Sequence, residues 1–284
     1  MIPYRLCTLY SGSSGNAAYL ETPHARILID GGKCARTLVA SLESIGVDVD
    51  TVDAIFVTHE HNDHVSALEV LVKKHPIPVH ILYKSALRYQ KTQPKALCEC
   101  LHMYKTPAEV NVRVGDVTVT AFPIPHDSRA AMGFRLTLED GGTPLRIGYA
   151  TDVGCVTDEV HDALVGCESV VLESNHDIDM LKNGLYPYDL KQRILSHKGH
   201  LSNAACAELA AELCMKGTKN LLLAHLSDHN NFPDLAYDET FAAIAGLPVR
   251  LCVASPIEVT MLVGEADKPI PKENKPTSNE EVTA

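Results

Sequence analysis

The sequence has no tryptophan and lacks the marks of a membrane or secreted protein. No apolar run approaches the ~20 residues that a membrane-spanning helix requires. The N-terminal stretch Met1-Ile2-Pro3-Tyr4-Arg5 lacks the basic-then-apolar layout of a signal peptide. The nine cysteines are scattered and odd in number, which disfavours a disulfide framework and favours a reducing compartment. We therefore expect a cytoplasmic protein without a membrane partner.

Length and composition predict one globular domain followed by a polar tail. The chain has 284 residues, of which 45% are hydrophobic, and this is enough for a sizeable core. We expect the folded domain over residues 1–264. Residues 265–284 are rich in Lys, Pro, Asn, Ser and Glu without apolar periodicity, so we predict that this tail is disordered.

The net charge of −11 disfavours a nucleic-acid partner, but the charge is unevenly distributed. Between Lys73 and Lys105 there are seven basic residues and one acid, Glu99. Tyrosines interleave with these bases, as in surfaces that bind phosphates and stack bases. We take Lys84 and Arg88 as candidate substrate-binding residues. The alternative is an ordinary solvated face.

A histidine-rich stretch, Thr58-His59-Glu60-His61-Asn62-Asp63-His64, follows the apolar run 54–57, which is typical of a short buried strand. Neutral imidazole and carboxylate are ligands for zinc, manganese and iron. One tetrahedral ion cannot use all four of His59, His61, Asp63 and His64 and keep an open position. The stretch therefore suits two adjacent metals, with a polar surface turn as the alternative.

Alternating and continuous apolar runs predict an α/β fold. Predicted strands cover residues 4–10, 17–20, 26–29, 54–57, 112–114, 117–121, 133–138, 145–150, 169–172, 221–224 and 249–253. Predicted helices cover residues 33–45, a segment beginning near Asp63, residues 202–216 with Ser202 as N-cap, and residues 239–245. Four of the strands lead into a candidate ligand, namely His59, His126, Asp152 and His225. A single such residue is usually only a polar strand end, but four predict a site at a common sheet edge.

These features resemble the metallo-β-lactamase superfamily over about residues 6–263. The resemblance implies a single-domain, four-layer αββα sandwich with two divalent ions, Zn²⁺ or Mn²⁺, at one edge of the sheets. It implies that His59, His61 and His126 bind one metal, and that Asp63, His64 and His225 bind the second. Asp152 would bridge the two.

Within the superfamily, the stretches 11–16, 59–64, 149–154, 173–177, 199–203 and 225–227 resemble the YycJ/WalJ group, which is regarded as DNA exonucleases acting from 5′ ends. The stretch Gly199–Ser202 also resembles the tRNA-processing nuclease RNase Z. However, the chain has no Gly/Pro-rich insertion like the tRNA-gripping arm. The span from Asp152 to His225 is also too short for the extra domain of the RNase J type.

The predicted function is a metal-dependent phosphodiesterase, a 5′-end-directed DNA exonuclease that uses a two-metal-activated hydroxide. Asp63 is a candidate for orienting the nucleophile, and His200 is the candidate proton donor, oriented by Glu173. Ser202 and Asn203 are candidate substrate contacts, because backbone amides at a helix start favour phosphate. The alternatives are an RNA-processing nuclease, a thioester or lactone hydrolase of the same fold, and a metal-stabilised binding module without turnover.

Overall fold

The computed structural model describes residues 2–139 and 141–273. Fourteen strands are present within these ranges. They are β1 (Arg5–Tyr10), β2 (Ala17–Glu21), β3 (Arg26–Ile29), β4 (Ala54–Phe56), β5 (Val79–Leu82), β6 (Leu101–Tyr104), β7 (Asn111–Val114), β8 (Val117–Pro123), β9 (Met132–Leu138), β10 (Leu145–Ala150), β11 (Ser169–Glu173), β12 (Asn220–Ala224), β13 (Arg250–Val253) and β14 (Thr260–Val263).

Ten α-helices accompany the strands in the described part of the chain. They are α1 (Ala35–Glu43), α2 (Asn62–Val65), α3 (Leu68–Lys74), α4 (Tyr83–Ala86), α5 (Lys95–Cys100), α6 (Asp158–Leu164), α7 (Ile178–Asn183), α8 (Tyr188–Ile194), α9 (Asn203–Met215) and α10 (Pro233–Ala243). Short 3₁₀ helices cover Val49–Thr51, Leu87–Tyr89 and Pro107–Glu109. Within the described ranges, no helix combines the length and the apolar character needed to span a bilayer.

The strands form two seven-stranded sheets, in the orders β14-β1-β2-β3-β4-β5-β6 and β13-β12-β11-β10-β9-β8-β7. Alternate residues of each strand face opposite layers, because the side-chain period of a strand is two. Thus Ile27 packs in the core between the sheets, and its neighbour Leu28 packs under α1 and α3. On the far face of the second sheet, Leu223 packs with residues of α6, α9 and α10. The predicted αββα sandwich is confirmed.

Strand direction places several chain turns at one edge of the second sheet. Strands β10, β11 and β12 are parallel to one another. Strand β8 runs in the same direction, because both β8 and β10 are antiparallel to β9 between them. The carboxyl ends of these four strands therefore lie at a common edge, where the chain continues into His126, Asp152, Ser174 and His225.

The predicted elements agree best with the structure where the local sequence signals are strong. The side chain of Ser202 caps α9 by accepting a hydrogen bond from the amide of Ala205, as predicted. The helix predicted at residues 239–245 instead covers Pro233–Ala243, because Pro233 occupies its first turn. The helix predicted near Asp63 is divided into α2 and α3.

Residues 265–273, the first part of the predicted tail, lie against the first sheet. The carbonyl of Ile270 accepts a hydrogen bond from Arg26 at 3.0 Å, and its amide donates to Glu21 at 3.3 Å. Nζ of Lys272 lies 2.7 Å from the carboxylate of Asp53. These polar groups thus find partners on the domain, and the disorder of residues 265–284 stays a prediction. Residues 274–284 lie outside the described residues.

Candidate metal centre

Three imidazoles converge where the β4 loop meets the end of β8. Nδ1 of His61 lies 3.3 Å from Nε2 of His126, and the ring centroid of His59 lies 4.6 Å from that of His61 and 4.9 Å from that of His126. His59 and His126 are buried. Nδ1 of His126 lies 3.2 Å from the carbonyl of Gly199, which fixes its ring by a hydrogen bond. The structure thus brings together the three residues predicted for the first metal.

A second cluster adjoins the first and joins it through Asp152. Oδ2 of Asp63 lies 3.1 Å from Nε2 of His64 and 3.5 Å from Nε2 of His225. The two carboxylate oxygens of Asp152 reach different members: Oδ2 lies 3.3 Å from His64, and Oδ1 lies 3.4 Å from His225 and 3.7 Å from His126. Asp152 therefore contacts both clusters, as a bridging residue must.

The spacing of these atoms fits divalent metal ions. A tetrahedral ion with bonds of about 2.0–2.1 Å to nitrogen or oxygen holds its ligand atoms about 3.3–3.4 Å apart. The separations above, from 3.1 to 3.7 Å, lie around that value. In addition, Nε2 of His59 and Oδ2 of Asp152 are buried without a hydrogen-bond partner among the described residues. Buried polar atoms are rarely left unpaired, so a metal ligand role accounts for both.

Electrostatics divide the histidines into two kinds. Burial lowers the pKa of His59 and of His126, so both are neutral and ready to donate a lone pair. Burial opposes protonation of His64 and His225 too, but nearby carboxylates, Asp152 foremost, raise the pKa of each well above its ordinary value. Burial alone would raise the pKa of Asp152, but the surrounding imidazoles lower it well below the usual range. The centre thus holds an ionised carboxylate that compensates cations.

Residues that the sequence analysis did not select hold the ligands in place. The buried carboxylate of Asp30 lies 2.8 Å from Nδ1 of His64 and accepts a hydrogen bond from the amide of Thr58 at 2.8 Å. Nδ2 of Asn16 lies 3.3 Å from Oδ2 of Asp63. The hydroxyl of Ser11 accepts a hydrogen bond from the amide of His225 at 2.9 Å. The placement of Asp30 before two glycines, at the end of a predicted strand, gave a sequence signal, and Ser11 and Asn16 lie in the stretch 11–16 that resembles the YycJ/WalJ group.

Glu173 lies beside His200, as the sequence analysis predicts. Its Oε1 lies 2.8 Å from Nδ1 of His200, and its Oε2 accepts hydrogen bonds from the amides of Val153 and Leu201 at 2.7 and 2.9 Å. Burial opposes ionisation of Glu173, but His200 and His225 lower its pKa to about 2. Because both of its oxygens already accept these bonds, Glu173 is suited to orienting an imidazole, although with Asp152, His200 and His225 it also forms a group that could hold a metal ion. His200 keeps Nε2 available, and its side chain is 21% exposed.

The predicted substrate contacts have different outcomes. Asn203 is fully buried, and its Oδ1 accepts hydrogen bonds from Ser174 and Asn231, both at 2.8 Å. The side chain of Asn203 is therefore enclosed by protein groups, which disfavours direct contact with substrate, and its assignment stays a prediction. The hydroxyl of Ser202 caps α9 at the edge of a cavity next to His200.

The two basic residues lie on one side of the histidine-rich loop. The guanidinium of Arg88 donates hydrogen bonds to the carbonyl of Glu60 and to Oδ1 of Asn62, the latter at 2.8 Å. Lys84 is exposed on α4, one helical turn away. Neither residue lines the cavity at the metal centre. Arg88 thus supports the loop, and phosphate contacts by Lys84 and Arg88 stay a prediction.

Comparison with known proteins identifies one family model and relatives that agree with it. A family model described as a beta-lactamase superfamily domain matches residues 25–226. Exodeoxyribonuclease WalJ of Streptococcus pneumoniae is 33% identical over 238 residues, covering 83% of this chain and 86% of that protein. Exodeoxyribonuclease YycJ of Bacillus anthracis is 32% identical over 228 residues, covering 80% and 84%. The metallo-β-lactamase fold protein YhfI of Bacillus subtilis superposes with a TM-score of 0.66 at 16% identity, covering 91% of this chain and 99% of that one.

Proposed function

The chain belongs to the metallo-β-lactamase superfamily, in the family of the exodeoxyribonucleases WalJ and YycJ, and from this we propose that it is a metal-dependent exodeoxyribonuclease acting from 5′ ends. The observation that carries the proposal is the pair of adjoining His/Asp clusters joined by Asp152. The names of both relatives favour DNA over RNA, and they favour a nuclease over a thioester or lactone hydrolase. The nine free cysteines support a cytoplasmic location.

The donor set supports two ions, either zinc or manganese. His59, His61 and His126 would hold one, Asp63, His64 and His225 the other, and Asp152 would contact both. When bound, such a pair supplies an activated water and neutralises charge on the phosphate. No cysteine lies among the ligands, and imidazole with carboxylate accommodates either metal.

The remaining chemistry falls to the protein's own side chains. Asp63 is 24% exposed and lies at the cavity surface, where its second oxygen can accept a hydrogen bond from the attacking water. His200 lines the same cavity and protonates the leaving oxygen through Nε2. The carboxylate of Glu173 stabilises the protonated imidazole before transfer and holds its ring in place. Ser202, Lys84 and Arg88 contact the substrate strand beyond the cavity.

The test combines metal analysis with directional digestion. The parent protein, loaded with zinc or manganese, should degrade 5′-labelled DNA with immediate release of labelled mononucleotide, whereas 3′-labelled DNA should shorten progressively. His61→Ala and Asp152→Ala should each lose bound metal and essentially all turnover, because each removes a donor from a converging cluster. If the parent protein instead released the label from 3′-labelled DNA first, the proposed 5′ polarity would be overturned. Full activity and metal content in either variant would overturn the ligand assignment.

A further inference from the structure

The cavity at the metal centre has an asymmetric charge. It has a volume of about 220 Å³ and is lined by the carboxylates of Asp63, Asp127 and Asp152. Apart from histidines, Arg193 of α8 is the one basic residue in that lining within the described chain. Asp63 and Asp152 belong to the proposed metal ligands, so in the metal-loaded cavity Arg193 is the lining side chain, other than a histidine, whose positive charge can meet a phosphodiester anion. A guanidinium is also the side chain whose donors match two oxygens of one phosphate.

Arg193 is held in position, but most of its donors are free. Its Nε donates to Oδ2 of Asp127, the residue after His126, and no other side-chain hydrogen bond of Arg193 is present among the described residues. The side chain is 58% exposed. Its backbone packs closely against Gly199, because the carbonyls of Arg193 and Ile194 would lie 2.4 and 2.0 Å from a Cβ atom at that position. The amide of His200, the next residue, donates a hydrogen bond to the carbonyl of Ile194 at 3.1 Å, so the end of α8 lies against the backbone of the proposed proton donor.

An aromatic ring accompanies this charge. Tyr186, two residues before α8, lines the same cavity and is partly exposed. Its ring meets the ring of His229 edge-on, with centroids 5.8 Å apart at 75°, which leaves a ring face uncovered by that contact. An exposed aromatic face stacks any of the bases and so binds without sequence preference. A lactone, or a thioester without a nucleotide moiety, has no base to use it.

We propose that Arg193 and Tyr186 together bind one nucleotide of the substrate, with the phosphate on the guanidinium and the base on the tyrosine ring. This inference rests on the proposed nuclease function and adds to it the side chains that recognise a nucleotide at the metal centre. Both residues come from one segment, 186–193, which covers the cavity from the side of α8.

Two variants with matched controls test the proposal in the metal-loaded protein. Arg193→Gln should lower kcat/KM on single-stranded DNA by about 10- to 100-fold, since it removes a charge-assisted hydrogen bond. The slope of log kcat/KM against log salt should become shallower by about 0.7. Arg113→Gln is the control, because Arg113 is 55% exposed and pairs with Glu139 at 2.6 Å but does not line the cavity. Equal behaviour of the two variants would overturn the role of Arg193.

The tyrosine is tested with a substrate that has no base at its 5′ end. Tyr186→Leu should lower kcat/KM on DNA about tenfold and leave cleavage of an oligonucleotide with an abasic 5′-terminal nucleotide within about twofold of the parent. Tyr188→Leu is the control, since Tyr188 is 73% exposed at the start of α8 and outside the cavity lining. An equal loss on both substrates would overturn base stacking by Tyr186.

A purely structural role for the Arg193–Asp127 pair is separable. Asp127→Asn breaks the ion pair but keeps the guanidinium, so phosphate binding predicts that the salt slope falls in Arg193→Gln alone. Equal slopes in the two variants would overturn the proposal. Metal content, measured in every variant, shows whether the centre is intact. If the parent protein cleaves DNA and the variants are unaffected, only this inference is refuted. If the parent protein cleaves no DNA, the proposed function is refuted as well.

Discussion

Replacing His200 by alanine separates proton transfer from metal binding. Nδ1 of His200 is bonded to Glu173 rather than to the seven proposed ligands, although the ring stacks on His225 with centroids 5.2 Å apart. The variant should therefore retain its metals and bind DNA nearly as well as the parent. Its kcat should fall by ~10²–10⁴, the usual contribution of a positioned general acid. This corresponds to about 2.7–5.4 kcal/mol of transition-state free energy.

The assay compares leaving groups of different basicity. Cleavage of DNA expels an alkoxide that requires protonation, whereas a nitrophenyl phosphodiester expels a stable phenolate that needs little. His200→Ala should thus lose much less activity on the nitrophenyl substrate than on DNA. His161→Ala serves as the control, because the imidazole of His161 lies on the surface of α6. Equal losses on both substrates would refute proton donation and make His200 a positioning or phosphate-binding residue, and loss of metal would require a new ligand assignment.

Two further predictions concern the supports of the site and the core. Asp30→Asn removes the charge that Nδ1 of His64 contacts at 2.8 Å, so metal affinity should fall about 10- to 100-fold in a chelator competition, and unchanged affinity would refute that support. Burial lowers the pKa of His80 to about 4, below the ~6.5 of an unfolded chain, so the unfolded state binds more protons between these values. Stability should therefore fall by up to about 3 kcal/mol as the pH drops from ~6.5 to ~4. Urea unfolding of the metal-free protein should show this loss of stability in the parent and a smaller loss in His80→Phe. Equal losses would refute the contribution of His80.

The convergence of the candidate ligands at one sheet edge could be predicted because its signals are local. An apolar strand followed at once by His or Asp is visible in the sequence around Asp152 and His225, and parallel strands bring such ends to one edge. The capped helix α9 was also recognisable, since Ser202 precedes a regular apolar face. Each of these signals depends on residues that are close together in the sequence.

The remainder depends on contacts between distant parts of the chain. Helix α8 (Tyr188–Ile194) has no buried residue, so its sequence lacks the apolar periodicity that would predict a helix there. The position of Arg193 at the cavity could therefore not be predicted either. The enclosure of Asn203 has a similar origin. A polar residue at a helix start is a reasonable phosphate contact, but here Ser174 and Asn231 lie 29 residues before it and 28 after it and enclose its amide. The pairing of Asp30 with His64 spans 34 residues and likewise follows from the adjacency of β3 and β4.

Backbone conformation at the strand ends explains why polar residues occupy them. Asp30, Asp152 and His225 follow β3, β10 and β12 and have φ angles of 64°, 59° and 58°. This left-handed region costs a non-glycine residue of order 1–3 kcal/mol. Glycine would remove that cost, but it would also remove a carboxylate or an imidazole that contacts the site. Part of the cost is offset by fixed backbone bonds: the amide of Asp30 donates to Phe56 at 2.8 Å, and that of His225 to Ser11 at 2.9 Å. The strain is therefore retained because the same residue must both turn the chain and supply the functional side chain.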